Sequence, residues 1–233
     1  MCGRYSLITD KHQLGNFFSI VQNEVGSRYN IAPSYGPKNP AYTIHLNDHG
    51  QRELFCARWW LIPSCWKKSL KELPASFNAR VEDVAAKPFF RGSFCHKRCL
   101  VPATGWYEYQ GPRGKKDAHY FHMPKHQPFA FAGLWDEWIS PEGEVVESFA
   151  ILTTEANDVA RPIHNRMPVI ISPDAFDVWL APNELASDEA KILLRPYNRE
   201  LHVYKTTGYS ANPRHEGREC IQADVSGLAT VIT

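Results

Sequence analysis

Stretches rich in β-branched and aromatic residues alternate with short polar turns along most of the chain, and that punctuation predicts strands. Turn signals fall at Asn47-Asp48-His49-Gly50, Gly111-Pro112-Arg113-Gly114 and Ser140-Pro141-Glu142-Gly143. In such turns glycine supplies backbone freedom while Asn, Asp and Ser bond back to the main chain. Around them the β-rich stretches are 41–46, 53–59, 98–103, 106–110, 119–122, 128–138 and 145–154. Each turn separates two such stretches, so antiparallel hairpins are expected.

Fewer segments read as helices. Thr9 or Asp10 caps a helix expected to run to about Val21, and Ser172 followed by Pro173 places a cap before proline at the first position of a helix to about Leu180. A third helix is expected over 187–195, stopped by Pro196, and 200–206 reads as a last strand. Strand runs with irregularly interspersed helices predict an α+β fold built on a largely antiparallel, curved sheet.

Composition narrows the class. At 233 residues and 43% hydrophobic, the chain can bury one sizeable core, and no repeat or linker divides it, so a single domain over 1–233 is expected. The 26 Lys and Arg against 25 Asp and Glu give a net charge of +1, so any nucleic-acid binding must come from a local basic surface. Six cysteines (Cys2, Cys56, Cys65, Cys95, Cys99 and Cys220), with no secretory leader or membrane-length apolar run, point to reduced thiols in a cytoplasmic protein.

Cys2 introduces chemistry. Removal of Met1, which a small second residue permits, leaves an amine and a thiol on one residue. This 1,2-aminothiol condenses with an aldehyde through nitrogen, and the thiol then closes a five-membered thiazolidine. Reference pKa values near 8 for an α-amine and about 8.5 for a thiol leave a useful fraction of each nucleophilic at neutral pH, and ring closure is intramolecular. A cysteine at position 2 is by itself more often incidental. Gly3, which lets a ligand approach, and Arg4, which offers a planar fork to phosphate, strengthen the pattern.

Six ordered motifs then carry a resemblance: Met1-Cys2-Gly3-Arg4-Tyr5, Arg28-Tyr29-Asn30-Ile31-Ala32-Pro33, Arg58-Trp59 with Ile62-Pro63-Ser64, Phe77-Asn78-Ala79-Arg80-Val81-Glu82, Gly105-Trp106-Tyr107-Glu108, and Ile163-His164-Asn165-Arg166-Met167-Pro168. Together they resemble the SRAP family from residue 1 to about 206, while 207–233 matches only loosely. The resemblance implies a bifurcated, barrel-like β-structure with peripheral helices. It also implies capture of abasic sites in single-stranded DNA as a thiazolidine crosslink on the mature Cys2, by a likewise cytoplasmic or, in a eukaryote, nuclear monomer without cofactor or metal. Self-processing of Met1 by a peptidase activity and reversal of the crosslink are further activities that it raises.

Carried over position by position, the resemblance makes Cys2 the nucleophile, Asn78 a holder of its amine or of the sugar, and Glu108 and His164 the proton-transfer pair. Glu108 is assigned to the amine side and His164 to the sugar hydroxyl. Arg4, Arg80 and Arg166 are phosphate-binding candidates. Asn30 and Pro33 are expected to shape the pocket floor, and Trp66 and Trp106 to stack on bases, although core packing competes for both. Lys67, Lys68, Lys71, Arg113, Lys115 and Lys116 extend the basic surface or are simply solvated. The chain departs from the family at Trp59-Trp60, where a Trp-Gly pair is usual, and at Cys65-Trp66, where two tryptophans are common.

Three other readings stay open. A glutamine amidotransferase also uses a processed N-terminal cysteine, but Arg4 and the lack of Asn-Gly and Gly-Asp elements argue against it. Cys95, Cys99, His119 and His122 have zinc-type side chains in a spacing that fits no standard finger. A noncovalent damaged-DNA binding module is the third.

Overall fold

In the computed structural model the described residues are 2–9, 11–20, 26–34, 41–112, 115–183, 190 and 192–226. Two sheets carry the fold. The first is formed by β1 (Tyr5–Leu7), β2 (Arg28–Ile31), β7 (Gly105–Gln110), β8 (Asp117–His122) and β13 (His202–Lys205), in the order β13-β8-β7-β1-β2. All of its pairings are antiparallel.

The second contains β3 (Ala41–Leu46), β4 (Arg52–Trp59), β6 (Arg98–Ala103), β9 (Phe129–Ile139) and β10 (Val145–Glu155), which close on one another as a five-stranded barrel through β10-β4-β3-β6-β9 and back to β10. Closure leaves these strands without a free edge along their paired length. The link from β10 to β4 is parallel and the others antiparallel. Short strands extend the barrel: β5 (Asn78–Arg80) and β11 (Arg166–Pro168) flank the end of β10, and β12 (Ile170–Ile171) joins β9. The result is the α+β, barrel-like, mostly antiparallel architecture expected.

The sheets meet through aromatic side chains. Tyr5 lies 5.1 Å from Trp59 and 5.9 Å from Phe131, edge to face, while Trp106 lies 6.0 Å from Phe131. All four are buried, so β1 and β7 are fastened onto the barrel by a shared core. Strands 41–46 and 98–103 have the boundaries read from sequence, and the other long strands agree within a few residues.

Helices differ more. α1 (Lys11–Phe18) stops at Ser19, whose φ of 54° turns the chain left-handed, and Ile20 N–H closes the end on Gly15 O at 3.2 Å. Asp10, Val21, residues 187–189 and residue 191 lie outside the described residues; Ala190, Ile192 and Leu193 are helical, and Leu194 N–H donates to Ala190 O at 3.0 Å, ahead of Pro196. The segment after Ser172 begins as a 3-10 turn, Pro173–Ala175, and becomes α3 (Phe176–Leu180). α2 (Pro88–His96) was not foreseen: it has proline in its first turn, but Lys87 gives no side-chain cap and Gly92 interrupts its interior. Arg98, 3% exposed, latches α2 and α3 together by donating to Phe94 O at 2.8 Å, Cys95 O at 2.9 Å and Trp179 O at 2.7 Å. No helix among the described residues is long and apolar enough to cross a membrane.

Candidate active site

Beside β7 runs the start of the chain. Tyr5 pairs with Trp106 and Ser6 with Gly105, and Tyr107 N–H donates to Arg4 O at 3.0 Å. Continuing that register sets Gly3 opposite Glu108. Cys2 is wholly buried, its Sγ 3.9 Å from Arg4 O. On its other side β5 lies along β10, with Asn78 paired to Ile151, and Asn78 Nδ2 donates to Cys2 O at 2.7 Å. Cys2 is therefore gripped from both sheets, which restrains a chain end that would otherwise fray.

Glu108 is 3% exposed, and burial pushes its carboxyl up to about 7. Burial, followed by the negative charge of Glu108, raises the Cys2 thiol well above its ordinary range. His164 reaches this neighbourhood through the loop before β11. Its N–H donates to Ala160 O at 2.9 Å, and Gln110 Nε2, two residues beyond Glu108, holds the loop by Pro162 O at 2.6 Å. His164 Nδ1 lies 3.0 Å from Arg166 N and 3.2 Å from Arg166 O, so the Arg166 main chain fixes the ring's orientation. Burial, together with the positive charges of Lys116 and Arg166, holds its pKa below the usual value. An imidazole whose pKa is lowered and a carboxyl whose pKa is raised to about 7 are thus carried by the His164 loop and by β7, which Gln110 ties together.

The arginines have different surroundings. Arg166 forms a two-armed pair with the Glu82 carboxylate and donates to Thr153 O at 2.6 Å. Arg4 donates to Asn30 Oδ1 and Ala211 O, each at 3.1 Å, and to Ser210 O. Arg80 is exposed on β5, two residues from Asn78. Asn30 is 2% exposed and directs its amide at the carbonyls of residues 210, 212 and 215. Pro33 is half-buried beside Ser34, whose N–H donates to Trp59 O at 3.2 Å.

Trp106 is fully buried, stacked 4.7 Å from Phe121, and presents no face to a base. Half-buried Trp66 packs against Ile62, Trp138 and Val146 beside the exposed Lys67, Lys68 and Lys71. Lys115 and Lys116 are exposed, and Arg113 lies outside the described residues. Cys95 and Cys99 sit on α2 and β6, whereas His119 and His122 belong to β8 in the other sheet. Among the described residues no group of three or more His, Cys, Asp or Glu is arranged to hold a metal.

A family model described as SOS response associated peptidase (SRAP) matches residues 1–209. The chain belongs to the SRAP family. It is 34% identical to the abasic site processing protein YoqW of Bacillus subtilis over 96% of this chain and 100% of that one. Identity to the abasic site processing protein YedK of Escherichia coli is 26%, over 95% and 99% of the two chains. A crystal structure of a Bacteroides thetaiotaomicron protein superposes with a TM-score of 0.82 at 25% identity, covering 96% of this chain and 100% of that one.

Several residues of this SRAP chain enter the site neighbourhood although the sequence assigns them no role there. Glu82, inside the Asn78 motif, is the partner of Arg166, and its place in a quoted motif was the available signal. Gln110 anchors the His164 loop, and Tyr109 OH donates to Ser210 O at 3.3 Å, but nothing local marks either. Trp60 and Phe77, 5.2 Å apart and each partly exposed, form an aromatic surface next to Asn78. Of these, Trp60 occupies the position where the chain departs from the family pattern.

Proposed function

We propose that this protein processes abasic sites in single-stranded DNA by forming a covalent thiazolidine between the mature Cys2 and the ring-opened sugar. The observation that carries the reading is the grip on Cys2 by Asn78 beside a buried carboxyl, Glu108, whose pKa is raised to about 7. The relatives' names, abasic site processing proteins, support the substrate class.

Met1 must first leave, since it converts the Cys2 nitrogen into an amide. Glu108 takes a proton from the freed ammonium, the amine adds to the aldehyde carbon as a second nitrogen proton passes to the oxygen, and Glu108 returns its proton to the resulting hydroxyl, so that water leaves and a cationic iminium with one N–H forms. His164 serves the sugar oxygen during opening of the hemiacetal. The thiol adds last: the cationic iminium offsets the burial that disfavours a thiolate, sulfur bonds to carbon, the thiol proton passes to the Glu108 carboxylate, and the ring nitrogen keeps its single N–H. Amine, thiol and aldehyde thereby give one thiazolidine and one water. Arg80 and the Trp60 and Phe77 surface are proposed to receive the flanking strand, the arginine by phosphate contact and the rings by stacking.

Intact mass spectrometry tests this. Mature protein incubated with a single-stranded oligonucleotide carrying one abasic site should gain the oligonucleotide mass less one water in a heat-stable adduct, and Cys2→Ala should not. A mature N-terminus that forms no adduct overturns the reading, with glutaminase activity then pointing to an amidotransferase and noncovalent retention to a binding module.

A further inference from the structure

After β13 the chain returns across the first sheet as a strap, residues 206–224. Thr206 bridges to Ala223, Tyr204 OH donates to Ile221 O at 2.6 Å, and Lys205 pairs with Asp224 at 3.4 Å. The strap's middle is held by side chains from three neighbouring strands. Ser210 O alone accepts from Arg4 beside β1, from Asn30 of β2 at 3.3 Å and from Tyr109 of β7 at 3.3 Å. Asn30 Nδ2 also reaches Asn212 O and His215 O, each at 2.9 Å, and Arg4 reaches Ala211 O at 3.1 Å. Within the strap, His215 stacks 4.0 Å from Tyr209 and meets Tyr209 O at 2.8 Å.

These three strands include the pair that presents Cys2 and Glu108 to each other. We infer that Arg4 and Asn30 are positioning residues, which set Cys2 against Glu108 by clamping the strap, and that the strap's carbonyls rather than DNA phosphates are the partners of the Arg4 fork. The inference rests on the proposed Cys2 chemistry. Its physical basis is that Arg4 is two residues from the nucleophile and its own carbonyl closes on Tyr107 N–H at 3.0 Å. Loosening its side chain removes a restraint on the stretch of main chain that sets where the amine and thiol lie, leaving the Asn78 bond to Cys2 O as the hold from the other sheet. Asn30, being 2% exposed, reaches the reaction only through these contacts. Arginine is required here for its geometry, because a lysine ammonium cannot span three acceptors with a planar fork.

The experiment measures two quantities on mature protein: the single-turnover rate constant of adduct formation at saturating abasic oligonucleotide, and the affinity and salt dependence for the same oligonucleotide without the lesion. Arg4→Lys and Asn30→Ala should each lower the rate constant about tenfold or more, as small misplacements of reacting groups do. Both should leave affinity within about twofold and the salt slope unchanged. Because a rate constant is read rather than an adduct yield, partial unfolding does not mimic the result. An unchanged rate constant overturns the inference. So does an Arg4→Ala protein that loses affinity and salt slope while Arg4→Lys keeps both, which is the behaviour of a phosphate contact. Wild-type protein that forms no adduct instead overturns the proposed chemistry.

Discussion

At the residue scale, the chemistry turns on how burial alters groups that are ordinary in water. A glutamate side chain titrates near 4.5, and burial moves Glu108 to about 7. Two consequences follow. If Glu108 acts as base toward the Cys2 amine, the adduct rate rises as pH passes through about 7, and Glu108→Gln removes that rise in a pH-rate profile. For stability the sign is opposite: the folded state holds the proton more tightly than the unfolded one, so stability falls as pH rises from about 4.5 through about 7. That interval corresponds to roughly 3 kcal/mol at most. Glu108→Gln should therefore raise the melting temperature at pH 8 more than at pH 4.5, as thermal unfolding at the two pH values would show. Asn78→Ala removes the 2.7 Å bond to Cys2 O. It should lower the single-turnover adduct rate by about tenfold or more while leaving lesion-free DNA binding intact.

At the element scale, the segments that matter most for the site are the least regular ones. β5 and β11 are three residues each, too short to announce themselves by pattern, and both exist because the end of β10 offers backbone partners on its two edges. The motif residues Asn78, Arg80 and Arg166 sit on these two strands. Sequence legibility therefore came from motifs where strand patterning was silent, and from patterning where the strands are long, as in 41–46 and 98–103. α2 and α3 depend likewise on tertiary help, since Arg98 satisfies carbonyls at the ends of both. Arg98→Met fills much of the same space without the donors and should cost about 3 kcal/mol. Urea unfolding would measure the loss, and the adduct rate constant of the folded fraction should not change.

At the scale of the whole molecule, a net charge of +1 means that attraction to DNA is local. Arg80 is the exposed cation beside Asn78, and Arg80→Ala should weaken binding to single strands irrespective of sequence, lowering the salt slope by about 0.7. Titration of a fluorescent oligonucleotide at several salt concentrations checks it; an unchanged slope would place the phosphates elsewhere. From the chain alone came the α+β class, the long strands, the special character of Cys2 and the motif set that points to the SRAP family. Those depend on local composition and on short words of sequence, which need no knowledge of distant contacts. Only the tertiary structure decided that Trp106 is sealed in the core, that Arg166 faces Glu82, and that Arg4 and Asn30 grip carbonyls some 180 to 207 positions away along the chain. A side chain's partner is set by which elements meet, and here they meet through a closed barrel and a returning strap that no local pattern encodes.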